Sequence, residues 1–353
     1  MKKVIVIALS IVFAVAAFTG CGQKEDVKSG DQSSGAKKEL TVYTALEDEQ
    51  IDKYLESFKS KHPDIDVQIV RDSTGVITAK LVAEGGNTPA DLVWGTAASS
   101  LLVLEKEGML EAYSPDGVDK ILPNLKDSND PSMWVGIDAW ELAIVVNKEE
   151  AKAKGLPEIK SYNDLLKPEF KGEIVMSNPN SSGTGFLAVS GLIQLMGEEK
   201  AYEYMDKLHE NIAVYTHSGS APAKKAGAGE FAVGISYGYA GVSQVEKGYP
   251  VDVVFPEEGS GWDVEANALI KKDNIKEEAK LFLDWAISED AMNDLKEDYA
   301  ITGMKMSEEI PAGYNKDPLK QLIPQNDLKW AAENRDKILE TWMSKYDGKS
   351  EAE

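Results

Sequence analysis

Short apolar runs alternate with amphipathic stretches along nearly all of this chain after residue 38, and this alternation limits the fold more than any other feature. The predicted strands occupy residues 40–44, 67–70, 91–94, 173–176, 232–236 and 251–255. After the first of them, Ile51, Leu55 and Phe58 fall on one face of a helix. From Ile275 onward the pattern is largely helical. Such alternation is typical of α/β domains in which helices flank mainly parallel sheets.

The N-terminus predicts export. Two lysines precede an apolar run over residues 4–18, which ends in small residues before Cys21. The run is short for a transmembrane helix, which needs roughly 20 residues, so residues 1–21 are predicted to be a secretory signal. Cys21 is the only cysteine of the chain and is predicted to carry a lipid, which would anchor the protein to the outer face of the cytoplasmic membrane. Residues 22–38 are polar and Gly/Ser-rich, as in a flexible tether.

Length and charge narrow the class of protein further. The chain has 353 residues, which is long for a single hydrophobic core and predicts two domains. It carries 60 acidic against 38 basic residues, a formal net charge of −22. Nucleic acid requires a basic face, so a nucleic-acid partner is not expected.

Few side chains are suited to catalysis. The three histidines are His62, His209 and His217, and the sequence contains no G-x-S-x-G, P-loop or H-E-x-x-H motif. We therefore predict neither an enzyme nor a metal site, and no cofactor. His217 differs from the other two, because it lies with Ser218 in a hydroxyl-rich loop after a predicted strand. We expect this loop to line a pocket, and a surface turn is the alternative.

The segment S-N-P-N-S-S-G-T-G-F, residues 177–186, predicts an anion site. It follows a predicted strand and leads directly into an apolar helix. A helix start has unpaired N–H groups and partial positive charge, so it binds phosphate-like ions and carboxylates. The alternative is that Ser182 caps the helix and no ligand binds there. We assign Ser181, Ser182, Gly183 and Thr184 to the predicted site.

Other predicted strands also end in polar loops, and in open α/β sheets ligands bind beyond these ends. Neutral hydroxyl and amide donors suit a tetrahedral dianion, and no basic residue is found in these loops. Thr44 is also spaced from Glu47 as in a capping box. Acidic and aromatic side chains near the strand ends could bind a cationic group of the same ligand. The further candidates are Thr44, Asp72, Ser73, Thr74, Trp94, Thr96, Asp138, Trp140, Tyr237 and Glu265.

Several segments together resemble the 2-aminoethylphosphonate substrate-binding proteins of ABC importers. The resemblance spans residues 40–306 and rests on T-V-Y-T-A-L-E, R-D-S-T-G-V-I-T-A-K-L, A-D-L-V-W-G, W-V-G-I-D-A-W, N-P-N-S-S-G-T-G-F, V-Y-T-H-S-G-S and V-F-P-E-E-G-S-G-W-D-V-E-A. It implies a two-lobed type II periplasmic-binding-protein fold, each lobe a mainly parallel sheet flanked by helices. We expect lobe I at residues 39–137 and 255–305, and lobe II at 138–254 and 306–353.

The resemblance also implies roles for particular residues. The helix start at Ser182, Gly183 and Thr184 and the facing loop with Ser73 and Thr74 would hold the phosphonate. Asp138, with Asp72 and Glu265 as alternatives, would bind the ammonium group, and Trp94 or Trp140 would pack on the two-carbon linker. The protein would deliver its solute unchanged to a membrane permease.

Three other functions stay open. One is the binding of another phosphorylated solute such as a sugar phosphate, and another is the hydrolysis of phosphate or phosphonate esters. The third is the binding of ferric ion. The ferric-binding relatives have two adjacent tyrosines where this chain has Tyr237-Gly238-Tyr239, and the loss of one phenolate leaves too few anionic oxygens for a trivalent ion.

Overall fold

The computed structural model describes residues 37–306 and 309–352. The predicted signal, Cys21 and the predicted tether as far as residue 36 lie outside the described residues. The described strands are β1 (Lys38–Thr44), β2 (Ile65–Arg71), β3 (Leu92–Ala97), β4 (Leu110–Glu111), β5 (Val135–Asn147), β6 (Ile174–Ser177), β7 (Ile212–Thr216), β8 (Val233–Tyr237), β9 (Val251–Val254), β10 (Trp262–Ile270) and β11 (Ile301–Thr302).

Helices separate most of these strands. None of the helices in the described part of the chain is long and apolar enough to cross a membrane. The α-helices are α1 (Asp48–Lys61), α2 (Thr74–Glu84), α3 (Ala98–Lys106), α4 (Lys148–Lys154), α5 (Gly183–Met196), α6 (Glu198–Asn211), α7 (Ala221–Gly227), α8 (Gly238–Glu246), α9 (Glu277–Ala286), α10 (Glu289–Asp298), α11 (Leu328–Glu333) and α12 (Arg335–Tyr346).

Two groups of parallel strands are joined by two long antiparallel ones. The strand order is β2-β1-β3-β10-β5-β8-β6-β7. Strand β1 pairs parallel with β2 and β3, and β6 pairs parallel with β7 and β8. Strands β5 and β10 run antiparallel to each other and to their outer neighbours. We call β1–β3 with α1–α3 the first lobe and β6–β8 with α5–α8 the second lobe, and the predicted α/β architecture is confirmed.

The buried hydrophobic residues form two cores: the first covers the first lobe and extends to α7 and α8, and the second lies in the second lobe. In the first core, Trp94 packs against Phe282 and Trp285 at ring centroid distances of 5.4 and 5.7 Å. In the second core, Tyr215 packs edge-on against Trp342 at 4.9 Å. Strand β5 contributes Ile137 and Trp140 to the first core and Leu142 and Ile144 to the second. The residues around position 141 therefore lie where the chain passes from one core to the other.

The first helix begins differently from the sequence prediction. Ile51, Leu55 and Phe58 are buried on one face of α1, as expected. The capping box, however, is formed by Glu47 and Gln50, and Thr44 is still in strand β1. The Thr44–Glu47 capping box was therefore wrong, because the helix begins at Asp48, three residues later than that box requires.

Candidate ligand-binding site

A small cavity lies where the starts of α2 and α5 meet the crossing strands. It encloses about 40 Å³, and a single water needs roughly 10–15 Å³, so the lobes close around the space of a few waters. The cavity is lined by Ala45, Glu47, Arg71, Ser73, Thr74, Trp140, Ser182, Gly183, Thr184, Gly219, Tyr237 and Glu265.

The second lobe presents the start of helix α5 to the cavity. Ser182 is the N-cap, and its hydroxyl accepts a hydrogen bond from the Gly185 N–H at 3.3 Å. Gly183 and Thr184 are the first two residues of the helix, so the helix itself supplies no acceptor for their N–H groups. All three of Ser182, Gly183 and Thr184 line the cavity. Ser182 therefore caps the helix and borders the cavity at the same time, and the two readings of this serine are compatible.

In the first lobe, the start of helix α2 faces the start of α5. Ser73 is the N-cap of α2 and Thr74 its first residue, and both line the cavity. The Gly75 N–H donates a hydrogen bond across the cleft to the Ser181 carbonyl at 2.9 Å. A Cβ on Gly75 would lie 2.3 Å from the backbone oxygen of Asn180. Only glycine allows the two helix starts to approach this closely.

Arg71 provides the basic group of the cavity. Its Nη2 lies 3.1 Å from Glu47 Oε1, and its Nε donates to the Leu46 carbonyl at 2.9 Å. From the second lobe, Lys224 Nζ reaches Glu47 Oε2 at 2.9 Å. Burial alone would raise the pKa of Glu47, but Lys224 and Arg71 together hold it below its usual value. Glu47 is thus ionised between two cations, and the trio carries a net positive charge.

Glu265 is the second acidic group on the cavity, and its surroundings differ from those of Glu47. The Tyr299 hydroxyl donates to Glu265 Oε2 at 3.2 Å. Burial raises the pKa of Glu265 to about 8, although hydrogen bonds from Asp138 and Tyr299 oppose the shift. Asp138 lies opposite Glu265 in the β5–β10 ladder but is fully buried and does not line the cavity. The acid that can contact a ligand directly is therefore Glu265, and Asp138 lies behind it.

Two aromatic side chains complete the wall. Trp140 and Tyr237 both line the cavity, with their ring centroids 5.8 Å apart in an edge-on arrangement. The Trp140 indole N–H is buried, and no acceptor among the described residues bonds it. Burial raises the pKa of Tyr237, so its hydroxyl stays protonated. Both groups can donate a hydrogen bond to a ligand oxygen.

The remaining predicted residues fall outside the cavity lining. Trp94 packs in the first core. Thr44 and Thr96 are buried, and the Thr44 hydroxyl accepts from the Leu46 N–H at 3.1 Å. Ser218 accepts from the Ala221 N–H at 3.3 Å at the start of α7. For these four residues the structure supports a structural role in place of the predicted contact.

Asp72, His217 and Ser181 form an outer rim to the cleft. Asp72 Oδ1 lies 3.3 Å from His217 Nε2, and both side chains are exposed by more than two fifths. The Ser181 hydroxyl donates to the His217 carbonyl at 2.7 Å. These residues bridge the two lobes at the surface, so the prediction that Asp72 and His217 face the ligand is not supported by their position.

Four lining residues were not among the sequence candidates: Ala45, Glu47, Arg71 and Gly219. Glu47 and Arg71 could have been predicted from the sequence, because both lie close to the predicted strand ends whose polar residues were taken as candidates. Gly219 lies within the hydroxyl loop that was singled out, and a Cβ there would meet the Thr184 hydroxyl oxygen at 2.3 Å. In residues 37–306 and 309–352, no group of three or more His, Cys, Asp or Glu side chains is arranged to hold a metal ion.

Two lobes, two crossing strands and a cavity between helix starts define a binding protein of the type II periplasmic class. The structure of the periplasmic binding protein AfuA from Actinobacillus pleuropneumoniae, with exogenous fructose-6-phosphate bound, superposes with a TM-score of 0.81 at 30% identity, covering 88% of this chain and 99% of that one. The periplasmic binding protein P5PA gives a TM-score of 0.79 at 28% identity, over 88% and 100% of the two chains. The predicted two-lobed type II fold is thereby confirmed.

The family follows from the sequence comparison. The model of the bacterial extracellular solute-binding protein family matches residues 87–337, and the chain belongs to that family. Among its relatives, the iron uptake protein A1 of Synechocystis is 23% identical over 296 residues, covering 80% of each chain. The function of a solute-binding component of an ABC importer is therefore supported for this chain.

Proposed function

We propose that the protein captures 2-aminoethylphosphonate and delivers it unchanged to a membrane permease. The observation that carries the proposal is the lining of the cavity, which combines the cation Arg71 and unpaired helix-start donors with the carboxyl of Glu265, a second acid that is not paired with Arg71. A small ligand with an anionic head and a cationic tail would match both kinds of group. The sequence resemblance points to the same ligand.

The donors that line the cavity suit a phosphonate. Arg71 would supply the guanidinium N–H groups that Glu47 and the Leu46 carbonyl leave free, and the N–H groups of Gly183 and Thr184 would supply donors from the opposite lobe. The hydroxyls of Ser73 and Thr74 complete a ring of donors around a tetrahedral head group. Because these donors come from both lobes, the phosphonate stabilises the closed state more than the open one.

The ammonium group of the ligand would bind Glu265. Glu265 accepts one hydrogen bond from Tyr299 and presents its carboxyl to the cavity. Glu47 already neutralises part of the charge on Arg71 and Lys224, so Glu265 is the better partner for an ammonium group. Trp140 is placed to pack on the two-carbon linker.

A sugar phosphate is the second candidate, because the similar structure of AfuA contains fructose-6-phosphate. The cavity of about 40 Å³ must open for either ligand, and a hexose phosphate, as the larger molecule, would require the lobes to separate further than 2-aminoethylphosphonate would.

Ferric ion is the third candidate, and two tyrosine ligands are expected for it. Tyr237 lines the cavity, but Tyr239 stacks on Tyr299 at a centroid distance of 5.5 Å. The second tyrosine is therefore not among the lining residues, which argues against ferric ion.

Calorimetric titration of the purified protein would test the proposal. We expect 2-aminoethylphosphonate to bind most tightly among a panel with ethylphosphonate, inorganic phosphate, glucose 6-phosphate, fructose 6-phosphate and ferric citrate. Tighter binding of either sugar phosphate would move the assignment to the second candidate. Phosphorus NMR of the mixture should show the phosphonate unchanged after long incubation, whereas turnover would indicate a hydrolase.

The position in the cell envelope is part of the proposal. A lipid on Cys21 would hold the protein at the outer face of the cytoplasmic membrane, and residues 22–38 would act as a flexible tether between the lipid and the two lobes. The lobe limits at residues 39–137 with 255–305, and 138–254 with 306–353, are proposed as well. We expect Cys21→Ser to move the protein from the membrane fraction to the soluble fraction, and unchanged fractionation would refute the anchor.

A further inference from the structure

Asp138 is an unusual group for the interior of a binding protein. It is fully buried, and no donor among the described residues bonds either of its carboxyl oxygens. Its neighbour across the ladder is Glu265, whose carboxyl borders the cavity. A buried ionised carboxylate without a partner is very unfavourable, and two adjacent ones are worse. A proton between the two carboxyl groups would remove most of this cost.

The groups packed around the pair do not supply a neutralising cation. Glu141 from β5, Asp298 from α10, Glu47 before α1 and Asp263 from β10 are all acids, and each adds negative charge when it is ionised. Arg71 lines the same cavity but is engaged by Glu47. Tyr299 donates a single neutral hydrogen bond to Glu265. Burial first, then Glu265, and then Glu141 and Asp298 raise the pKa of Asp138 well above its usual value.

We infer that Asp138 and Glu265 hold a shared proton in the ligand-free protein, and that a cationic group entering the cavity expels this proton to solvent. The inference rests on the proposed function and deepens it. The acid O–H bond breaks, the proton passes to bulk water or buffer, and the carboxylate left behind pairs with the ammonium group. Asp138 acts through Glu265 and is a positioning residue with no direct ligand contact.

This shared proton separates two classes of solute. An ammonium tail replaces the proton, so charge at the pair is balanced before and after binding. A neutral tail, such as the methyl group of ethylphosphonate or a sugar hydroxyl, leaves the proton in place. The affinity of an aminated ligand should therefore rise with pH by up to about tenfold per unit while the pair stays protonated, and the affinity of a plain phosphonate should not show this additional rise.

Calorimetry of the full protein at one pH in several buffers of different ionisation enthalpy counts the protons directly. For 2-aminoethylphosphonate we expect a release of about one proton more than for ethylphosphonate. The ammonium group lowers the second pKa of the phosphonate, so the proton number of each ligand is corrected with the pKa from its own phosphorus NMR titration. Equal proton numbers for the two ligands would overturn the inference and leave the proposed function intact. Failure of 2-aminoethylphosphonate to bind at all would overturn both.

Two variants locate the proton. Glu265→Gln and Asp138→Asn should each reduce the extra proton release to near zero and weaken 2-aminoethylphosphonate far more than ethylphosphonate. Asp284→Asn is the matched control, because Asp284 also accepts a tyrosine hydroxyl, from Tyr113 at 2.8 Å, but lies outside the cavity lining. A full extra proton retained in both pair variants would refute the assignment. If neither variant folds, the wild-type buffer series decides alone.

Discussion

At the scale of single residues, Arg71 decides what charge the cavity accepts. It is the basic side chain of the cavity lining, and its guanidinium is held in place by Glu47 and by the Leu46 carbonyl. In the proposed complex, the guanidinium N–H groups that Glu47 and the Leu46 carbonyl leave free would donate to the phosphonate, and a lysine has fewer donors to share in this way. The neutral donors around it then need only complete the coordination of the head group.

We predict that Arg71→Met weakens phosphonate binding by roughly 10- to 100-fold, because a hydrogen bond to a charged group contributes about 1.5–3 kcal/mol. Arg71→Lys should lose less, because it keeps the charge with fewer donors. Titration calorimetry measures both, with a thermal melt to check folding. Lys120→Met is the control, since Lys120 pairs with Glu289 at the surface. Equal affinities of wild type and Arg71→Met would remove Arg71 from the site.

Arg71 also shows why the region of the site could be predicted from the sequence, whereas some of the side chains that line the cavity could not. From the sequence, Asp72 was a candidate for ligand contact and its neighbour Arg71 was not. Successive residues of an extended segment point to opposite sides, so Arg71 faces the cavity while Asp72 faces the surface and His217. Which side becomes the cavity depends on the other lobe. The prediction that Trp94 contacts the ligand was wrong for a related reason. Trp94 packs against Phe282, which is distant in sequence, so the sequence alone did not show that Trp94 is in the core.

At the scale of elements, the two helix starts were predictable and the strand between the lobes was not. The hydroxyl loops before α2 and α5 follow apolar strands, which fixes their position at the carboxyl edge of each sheet. Strand β10 alternates polar and apolar residues, but its polar members Asp263 and Asn267 are buried. An alternating strand normally has a solvated face, so its sequence gave no sign that it crosses the centre of the molecule.

Contact between the starts of α2 and α5 gives the second prediction. Gly75→Ala should weaken ligand binding by more than about tenfold, because the added methyl would meet the Asn180 carbonyl at 2.3 Å and overpacking typically costs 1–3 kcal/mol. The melting temperature without ligand should not fall, since alanine favours the helix over glycine by roughly 0.8–1 kcal/mol. Small-angle scattering should show less compaction on ligand addition.

Gly86→Ala provides the matched control for this variant. A Cβ at Gly86 meets no atom within 4 Å, so the same chemical change there should leave both affinity and compaction unchanged. Normal closure of Gly75→Ala around the ligand would show that the helix starts need not touch for binding.

For the molecule as a whole, the buried acids Glu141, Asp138 and Glu265 make the free energy of unfolding depend on pH. Burial raises the pKa of Glu141 to about 8, although the Gln321 amide donates to Glu141 Oε1 at 3.2 Å. Asp138 and Glu265 are shifted in the same direction. In each case the folded protein binds a proton that the unfolded chain has already released above about pH 4.5. Through these acids, the stability of the protein falls as pH rises from this value towards about 8.

Removing one of these acids should flatten that dependence. We predict that Glu141→Gln increases the free energy of unfolding at pH 8 relative to wild type, and that the difference between the two proteins grows by up to about 1.4 kcal/mol per pH unit between pH 5 and 8. Glutamine keeps an acceptor for Gln321 and carries no charge at any pH. Urea titrations at several pH values measure the difference. Parallel stability curves would mean that Glu141 ionises as easily in the folded protein as in the unfolded chain, and the position where β5 passes between the cores would then have to be accessible to water.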